Sequence, residues 1–126
     1  MTDPAPPSGA EWFEEEAFWE HYAPVMFESE RWAEAPAVVD GLLRLSEPPP
    51  GSRVLDLCCG MGRIAAELAR REYRVCGVDL CSSYLNIAAE YAQDRQLELV
   101  HADARRFLRP SSFDLAVNLY TSFGYF

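Results

Sequence analysis

The stretch Val54-Leu-Asp-Leu-Cys-Cys-Gly-Met-Gly-Arg63 carries the residues best suited to chemistry. An apolar strand pattern runs into a glycine-containing turn and then into a helix pattern. Gly60 and Gly62 let the backbone approach a ligand with no Cβ in the way. The helix that follows offers free N–H groups to an anionic group. Asp79 stands nineteen residues beyond Gly60, at the end of a second strand pattern. A carboxylate there can accept hydrogen bonds from both hydroxyls of a ribose. On spacing alone two cofactor classes compete. Gly60-Met-Gly-Arg-Ile-Ala65 fits the dinucleotide pattern G-x-G-x-x-A. Asp56 argues the other way, because a carboxylate inside a strand is costly to bury unless it is paired. A cationic amino-acid group beside the glycine turn would supply the pair. His101-Ala-Asp-Ala104 places a further acidic residue after a third strand pattern, where an adenine edge could be read.

The surrounding periodicities define the elements that must position these residues. Residues 1–10 hold three prolines, a glycine and a serine, and are expected to be a flexible tail. Residues 11–47 are expected to form an N-terminal helical lid. Trp12, Phe13, Phe18, Trp19, Tyr22, Phe27 and Trp32 recur at helical spacings and are read as core packing for that lid, with Pro24 interrupting. A second helix is predicted over Glu34–Leu45, ended by Ser46-Glu-Pro-Pro-Pro-Gly51. From residue 48 to residue 126 strands and helices alternate. Strands are predicted at Arg53–Cys58, Arg74–Asp79, Leu97–His101 and Phe113–Leu119. Helices are predicted at Met61–Arg71 and Ser82–Gln93, with a short turn or helix at Ala104–Leu108. This alternation implies right-handed βαβ crossovers and a parallel sheet, hence the α/β class. The chain stops seven residues after the fourth strand pattern. The sheet is therefore expected to be truncated there, with an exposed fourth-strand edge through which a homo-oligomer could form.

Charge and composition narrow the partners. The chain of 126 residues has a net charge of −9, and its basic residues are all arginines. Residues 1–50 hold eleven carboxylates and two arginines, a balance of −9, whereas residues 51–126 hold nine of each. Nucleic acid and anionic membrane surfaces are disfavoured as partners, because neither meets a basic face. The N-terminal residues show no secretory pattern and no apolar run is long enough to span a bilayer, so a cytoplasmic location is expected. Cys58, Cys59, Cys76 and Cys81 fit neither a zinc C-x-x-C pair nor a disulfide framework, so no metal is expected.

Taken together, the motifs resemble the class I S-adenosylmethionine (SAM)-dependent methyltransferases. Val54–Gly62 is similar to that family's first motif, Val75-Cys-Gly-Val-Asp-Leu80 to its second, Ala102-Asp-Ala104 to its third and Phe113-Asp-Leu-Ala-Val-Asn118 to its fourth. They occur in family order across residues 53–126. The resemblance implies a Rossmann-like sheet of strand order 3-2-1-4 with SAM as cofactor. It implies that Asp56 anchors the methionine end and that Cys58, Gly60 and Gly62 line the loop beneath it. Asp79 would bind the ribose, Leu80 the adenine face, and Asp103 and Ala104 the adenine edge. Asn118 and Leu119 would flank the methyl group, and Tyr22 would close the site. The reaction implied is in-line transfer of a methyl group from sulfonium to an oxygen, nitrogen or carbon nucleophile of a small molecule. His21, Tyr120 and Tyr125 are the candidate bases. Cys58 departs from the pattern by replacing the first glycine, which an extended backbone would tolerate. Two alternatives accompany this reading: an NAD(P)- or FAD-binding oxidoreductase fragment, and a truncated SAM-binding or interaction module without activity of its own.

Overall fold

A computed structural model describes residues 17, 29–92 and 96–119, with Ala17 helical. The expected tail, most of the aromatic segment before Trp32 and the last seven residues lie outside the described residues. Helix α1 spans Ser29–Ser46, β1 Arg53–Leu57, α2 Arg63–Arg70, β2 Arg74–Asp79, α3 Ser82–Tyr91, β3 Leu97–His101 and β4 Leu115–Val117. The four strands form one sheet of order β3-β2-β1-β4, as expected, and all three pairings are parallel.

The two inner strands explain the continuous apolar runs. Val54, Val75, Leu97 and Leu115 align across the sheet and face α1 and α2, where Ala35, Val39, Ile64, Ala65, Leu68 and Ala69 complete the core. Leu55, Cys76 and Val78 face the other way, against Phe107 and Phe113. Both faces of β1 and β2 are thus covered, which is why they read as unbroken hydrophobic segments rather than alternating ones.

Several boundaries shift. Helix α1 begins five residues before the predicted Glu34 and carries Pro36 inside it. Arg71 bridges this helix to α2, donating to Asp40 Oδ1 at 2.6 Å, to the Pro36 carbonyl at 3.0 Å and to Glu67 Oε2 at 2.8 Å. The fourth strand is three residues long instead of seven. Its pairing with β1 begins only at Leu115: just before it, the Asp114 carboxylate takes the Arg53 N–H at 2.8 Å while its own N–H donates to the Arg53 carbonyl. The Ala104–Leu108 segment is a turn, held where the Asp103 carbonyl accepts the N–H groups of Arg106 and Phe107. No helix among the described residues is long and apolar enough to cross a membrane.

Candidate functional site

The C-terminal ends of β1, β2 and β4 converge on the turn that leads into α2. That turn is built on three left-handed residues at alternate positions, Cys58 at φ 59°, Gly60 at φ 60° and Gly62 at φ 84°. Cys58 therefore does not keep an extended backbone. It adopts the left-handed conformation that the family's first glycine would adopt freely, and its Cβ carries the strain. Cys58 and Cys59 also lie beyond the end of β1, not inside it. The Cys59 N–H donates to the Val78 carbonyl at 3.0 Å, and the Gly62 N–H to the Cys59 carbonyl at 3.0 Å. Gly77 makes room for this turn. A Cβ there would come within 2.9 Å of Cys59 Sγ. Gly62 likewise permits close approach of α3, since its Cβ would lie 2.9 Å from the Ala88 Cβ.

Asp79 ties the turn to the second strand. Its Oδ2 accepts the Gly60 N–H at 2.8 Å and its Oδ1 the Cys81 N–H at 2.9 Å. Burial still pushes its carboxyl up, against those two bonds. The Asp79 carbonyl accepts the Ala102 N–H at 3.1 Å, which brings the end of β3 alongside.

Asp56 is the most unusual group of the site. It is 3% exposed, and its Oδ2 has no hydrogen-bond partner among the described residues. Burial first, and then the nearby Asp79 carboxylate, push its carboxyl up to about 7, with the Arg63 guanidinium opposing them. Asn118, at the end of β4, donates to the Leu57 carbonyl at 3.4 Å, and its Oδ1 is the other buried side-chain oxygen without a partner among the described residues. Neighbouring strands thus bring two unsatisfied acceptors to one end of the sheet.

Arg63 was not among the expected site residues. It is 4% exposed and opens α2, whose first turn holds no acidic residue. A cation is disfavoured at that end of a helix dipole, and this was the signal for a role in the site. Gly77 could have been found from a glycine interrupting a strand, which marks close backbone approach.

The remaining expected residues are placed as follows. Leu80 is half-buried, and its carbonyl accepts from His101 Nε2 at 2.8 Å. Ala104 is half-buried in the turn after β3. Asp103 is held by Arg105, through a 2.6 Å ion pair and the Arg105 N–H at 2.9 Å. Leu119 packs against the core cluster beneath α1 and α2. His21, Tyr22, Tyr120 and Tyr125 lie outside the described residues. Trp32 packs with Met61, Cys81, Tyr84 and Ile87, and its ring lies 4.4 Å from that of Tyr91. All four cysteines are free. Burial raises the Cys59 thiol well above its ordinary range, and nearby Asp56 and Asp79 reinforce the shift.

This donor and acceptor set fits a ligand with a cationic amino group and a ribose diol. The orphaned Asp56 Oδ2 calls for a donor, and the Asp79 oxygens keep lone pairs for further donors.

Comparison with known proteins agrees with that fit. A family described as "Methyltransferase domain" matches residues 54–126. The chain is 50% identical over 50 residues to the human tRNA (uracil-5-)-methyltransferase homolog A, covering 40% of this chain and 8% of that protein. It is 37% identical over 81 residues to a ubiquinone biosynthesis O-methyltransferase of Paracidovorax citrulli, covering 60% of this chain and 32% of that one. The structure of SAM-bound CalS10, an amino pentose methyltransferase from Micromonospora echinaspora, superposes with a TM-score of 0.63 at 27% identity, covering 86% of this chain and 44% of that chain. The chain spans less than half the length of each of these three proteins.

Proposed function

We propose, from the premise that the chain belongs to the class I SAM-dependent methyltransferase family with SAM as cofactor, that it serves methyl transfer to an oxygen, nitrogen or carbon nucleophile of a small molecule. Asp56 carries the reading: a fully buried carboxylate with an unpartnered oxygen, beside a left-handed glycine turn, is explained by a cationic ligand group and by little else. The match of Gly60–Ala65 to the dinucleotide pattern follows from the strand, glycine turn and helix that both cofactor classes use.

When bound, the cofactor supplies a methyl group already activated on a sulfonium. The chain's own residues then have three tasks. Gly60 gives the ligand access to the backbone at the turn, and Gly62 lets the turn lie close against α3. Asp56 and Asn118 offer acceptors to its cationic end, while Asp79 offers lone pairs to the ribose and fixes the Gly60 N–H. Leu80, Asp103 and Ala104 border the adenine, with Asp103 sharing its oxygens between Arg105 and the ligand. Cys58 and Leu119 border the loop and the methyl side. Alignment of the acceptor supplies much of the acceleration. A base is needed only for an acceptor that keeps its proton, and His21, Tyr120 and Tyr125 are the candidates, with Tyr22 closing the cleft.

A small acceptor is supported by the −9 balance of residues 1–50 and by the amino pentose and ubiquinone-pathway enzymes among the similar proteins. An RNA acceptor is the second reading, favoured by the tRNA and 23S rRNA uracil methyltransferases among the relatives. Calorimetric titration with S-adenosylhomocysteine tests the cofactor site. Absence of heat and of thermal shift at millimolar ligand, or tighter binding of NADH, would overturn the reading. Filter binding of labelled tRNA and rRNA tests the second reading, which salt-sensitive retention would bring to the front.

A further inference from the structure

The ends of β1 and β2 bring a buried carboxylate, Asp56, and a half-buried one, Asp79, against one buried guanidinium, Arg63. Asp79 has the better claim to a negative charge. Two backbone N–H groups, those of Gly60 and Cys81, point at its oxygens within 2.9 Å. Among the described residues Asp56 Oδ2 has no such donor, and neither has Asn118 Oδ1 at the end of β4. With Asp79 and Arg63 both ionised the cluster is balanced, and a second ionised carboxylate leaves one unpaired negative charge in the interior. Such a charge is expelled as a proton equilibrium rather than tolerated.

We infer that Asp56 carries a proton while the cleft is empty and gives it up when the cofactor's cationic end arrives, so that loading the site releases a proton to solvent. The inference rests on the reading that SAM binds here. The exchange balances without a further reactant: the carboxyl O–H bond breaks, its electron pair stays on Oδ2, the proton passes to buffer, and the ligand's ammonium replaces it as counter-charge. The groups that face Asp56 are Asp79 from β2, Arg63 from α2 and Cys59 from the turn, with Cys58 acting on Cys59 and His101 of β3 on Asp79. The Cys59 thiol is held neutral by its burial. The position of the Asp56 carboxyl near 7 puts the exchange within the neutral range.

The test uses S-adenosylhomocysteine, which carries the same amino group and cannot transfer a methyl. Titration calorimetry in buffers of differing ionisation enthalpy counts the protons exchanged. Wild-type protein should release close to one proton per ligand at about pH 6 and roughly half a proton near pH 7, where an ordinary α-amino group stays largely protonated. The dissociation constant should fall roughly fivefold across that unit, following the ionised fraction of Asp56. Asp56→Asn should release no proton at the lower pH, and its weaker binding should be flat with pH. Infrared difference spectra of the wild type should lose a protonated-carboxyl carbonyl band on ligand addition, a readout that needs no variant. Binding without proton release overturns the inference and leaves the cofactor reading standing. Equal release from wild type and Asp56→Asn also overturns it, because the proton then belongs elsewhere. Absence of any binding removes the cofactor reading itself.

Discussion

Replacing Asp56 by Asn should stabilise the ligand-free protein at neutral pH while weakening cofactor binding. The folded carboxyl sits at about 7 against an unfolded reference of 3.8. The shift is upward, so the folded state holds the proton more tightly than the unfolded state does. The site then costs nothing below about pH 4, costs progressively more as pH rises, and reaches its full penalty above about pH 7. The difference of about three pK units, at about 1.4 kcal/mol each, gives a ceiling of about 4 kcal/mol. That is a large share of the roughly 5–15 kcal/mol that holds a typical domain together. Asn keeps the shape and carries no charge at any pH. Urea unfolding of both proteins at a series of pH values between 4 and 8 measures the gap. The two should coincide near pH 4, and the variant should gain midpoint steadily towards pH 8 with an unchanged slope. Glu67, Glu98 and Asp103, whose carboxyls are held low by arginines, titrate identically in both and cancel. A gap independent of pH, or one that favours wild type at pH 8, would refute the argument that an unpaired buried charge is the cost of this site.

Five substitutions in the turn and the helices have further expected outcomes. Cys58→Gly should relieve the left-handed strain at φ 59°, with a net gain of about 0.5–1 kcal/mol after the entropy of the added glycine, read as a rise in melting temperature. Gly62→Ala should destabilise by about 2–3 kcal/mol, because its Cβ meets Ala88 at 2.9 Å and its φ is 84°, whereas Gly41→Ala, with open space around it, should stabilise α1 by about 1 kcal/mol. Asp79→Ala leaves the Gly60 and Cys81 N–H groups without their acceptor and should cost about 2–3 kcal/mol together with at least tenfold in S-adenosylhomocysteine affinity by calorimetry. Arg71→Ala removes the bridge from α2 to Asp40 and the Pro36 carbonyl, and should cost about 1–2 kcal/mol in denaturant unfolding with little effect on ligand affinity.

The parts of this fold that were legible in the sequence are those written in periodicity. Val54–Leu57 and Val75–Val78 read as buried strands because both of their faces are covered, and the alternation with helices dictated parallel pairing. Asp56 was legible for the opposite reason, as a carboxylate in an apolar run. What escaped depended on backbone geometry or on distant partners. Cys58 gives no hint of its φ, since the hydrogen bonds of Cys59 and Gly62 impose the conformation from outside. The late start of β4 goes with the Asp114 carboxylate capping the Arg53 N–H, a contact across sixty-one positions. The burial of Arg63 was not legible in the sequence, because it depends on β1 and β2 arriving at the same end. Asp103 was identified by its motif, but its pairing with Arg105 two positions on was not anticipated.

The strand order also sets a sequence of events. Strand β2 pairs with β1 about twenty positions downstream, Arg53 opposite Arg74, whereas β4 meets β1 only across sixty-one positions, Val54 opposite Leu115. Closing the longer loop costs roughly 0.9 kcal/mol more in chain entropy, and the three-residue β4 returns little hydrogen bonding for it. The β1-β2-β3 portion can therefore assemble with Asp56, Asp79 and the glycine turn in place before β4 joins. Asn118 rides on that last strand. On that order the docking of β4 completes the acceptor pair, and a ligand that needs both acceptors holds β4 in place.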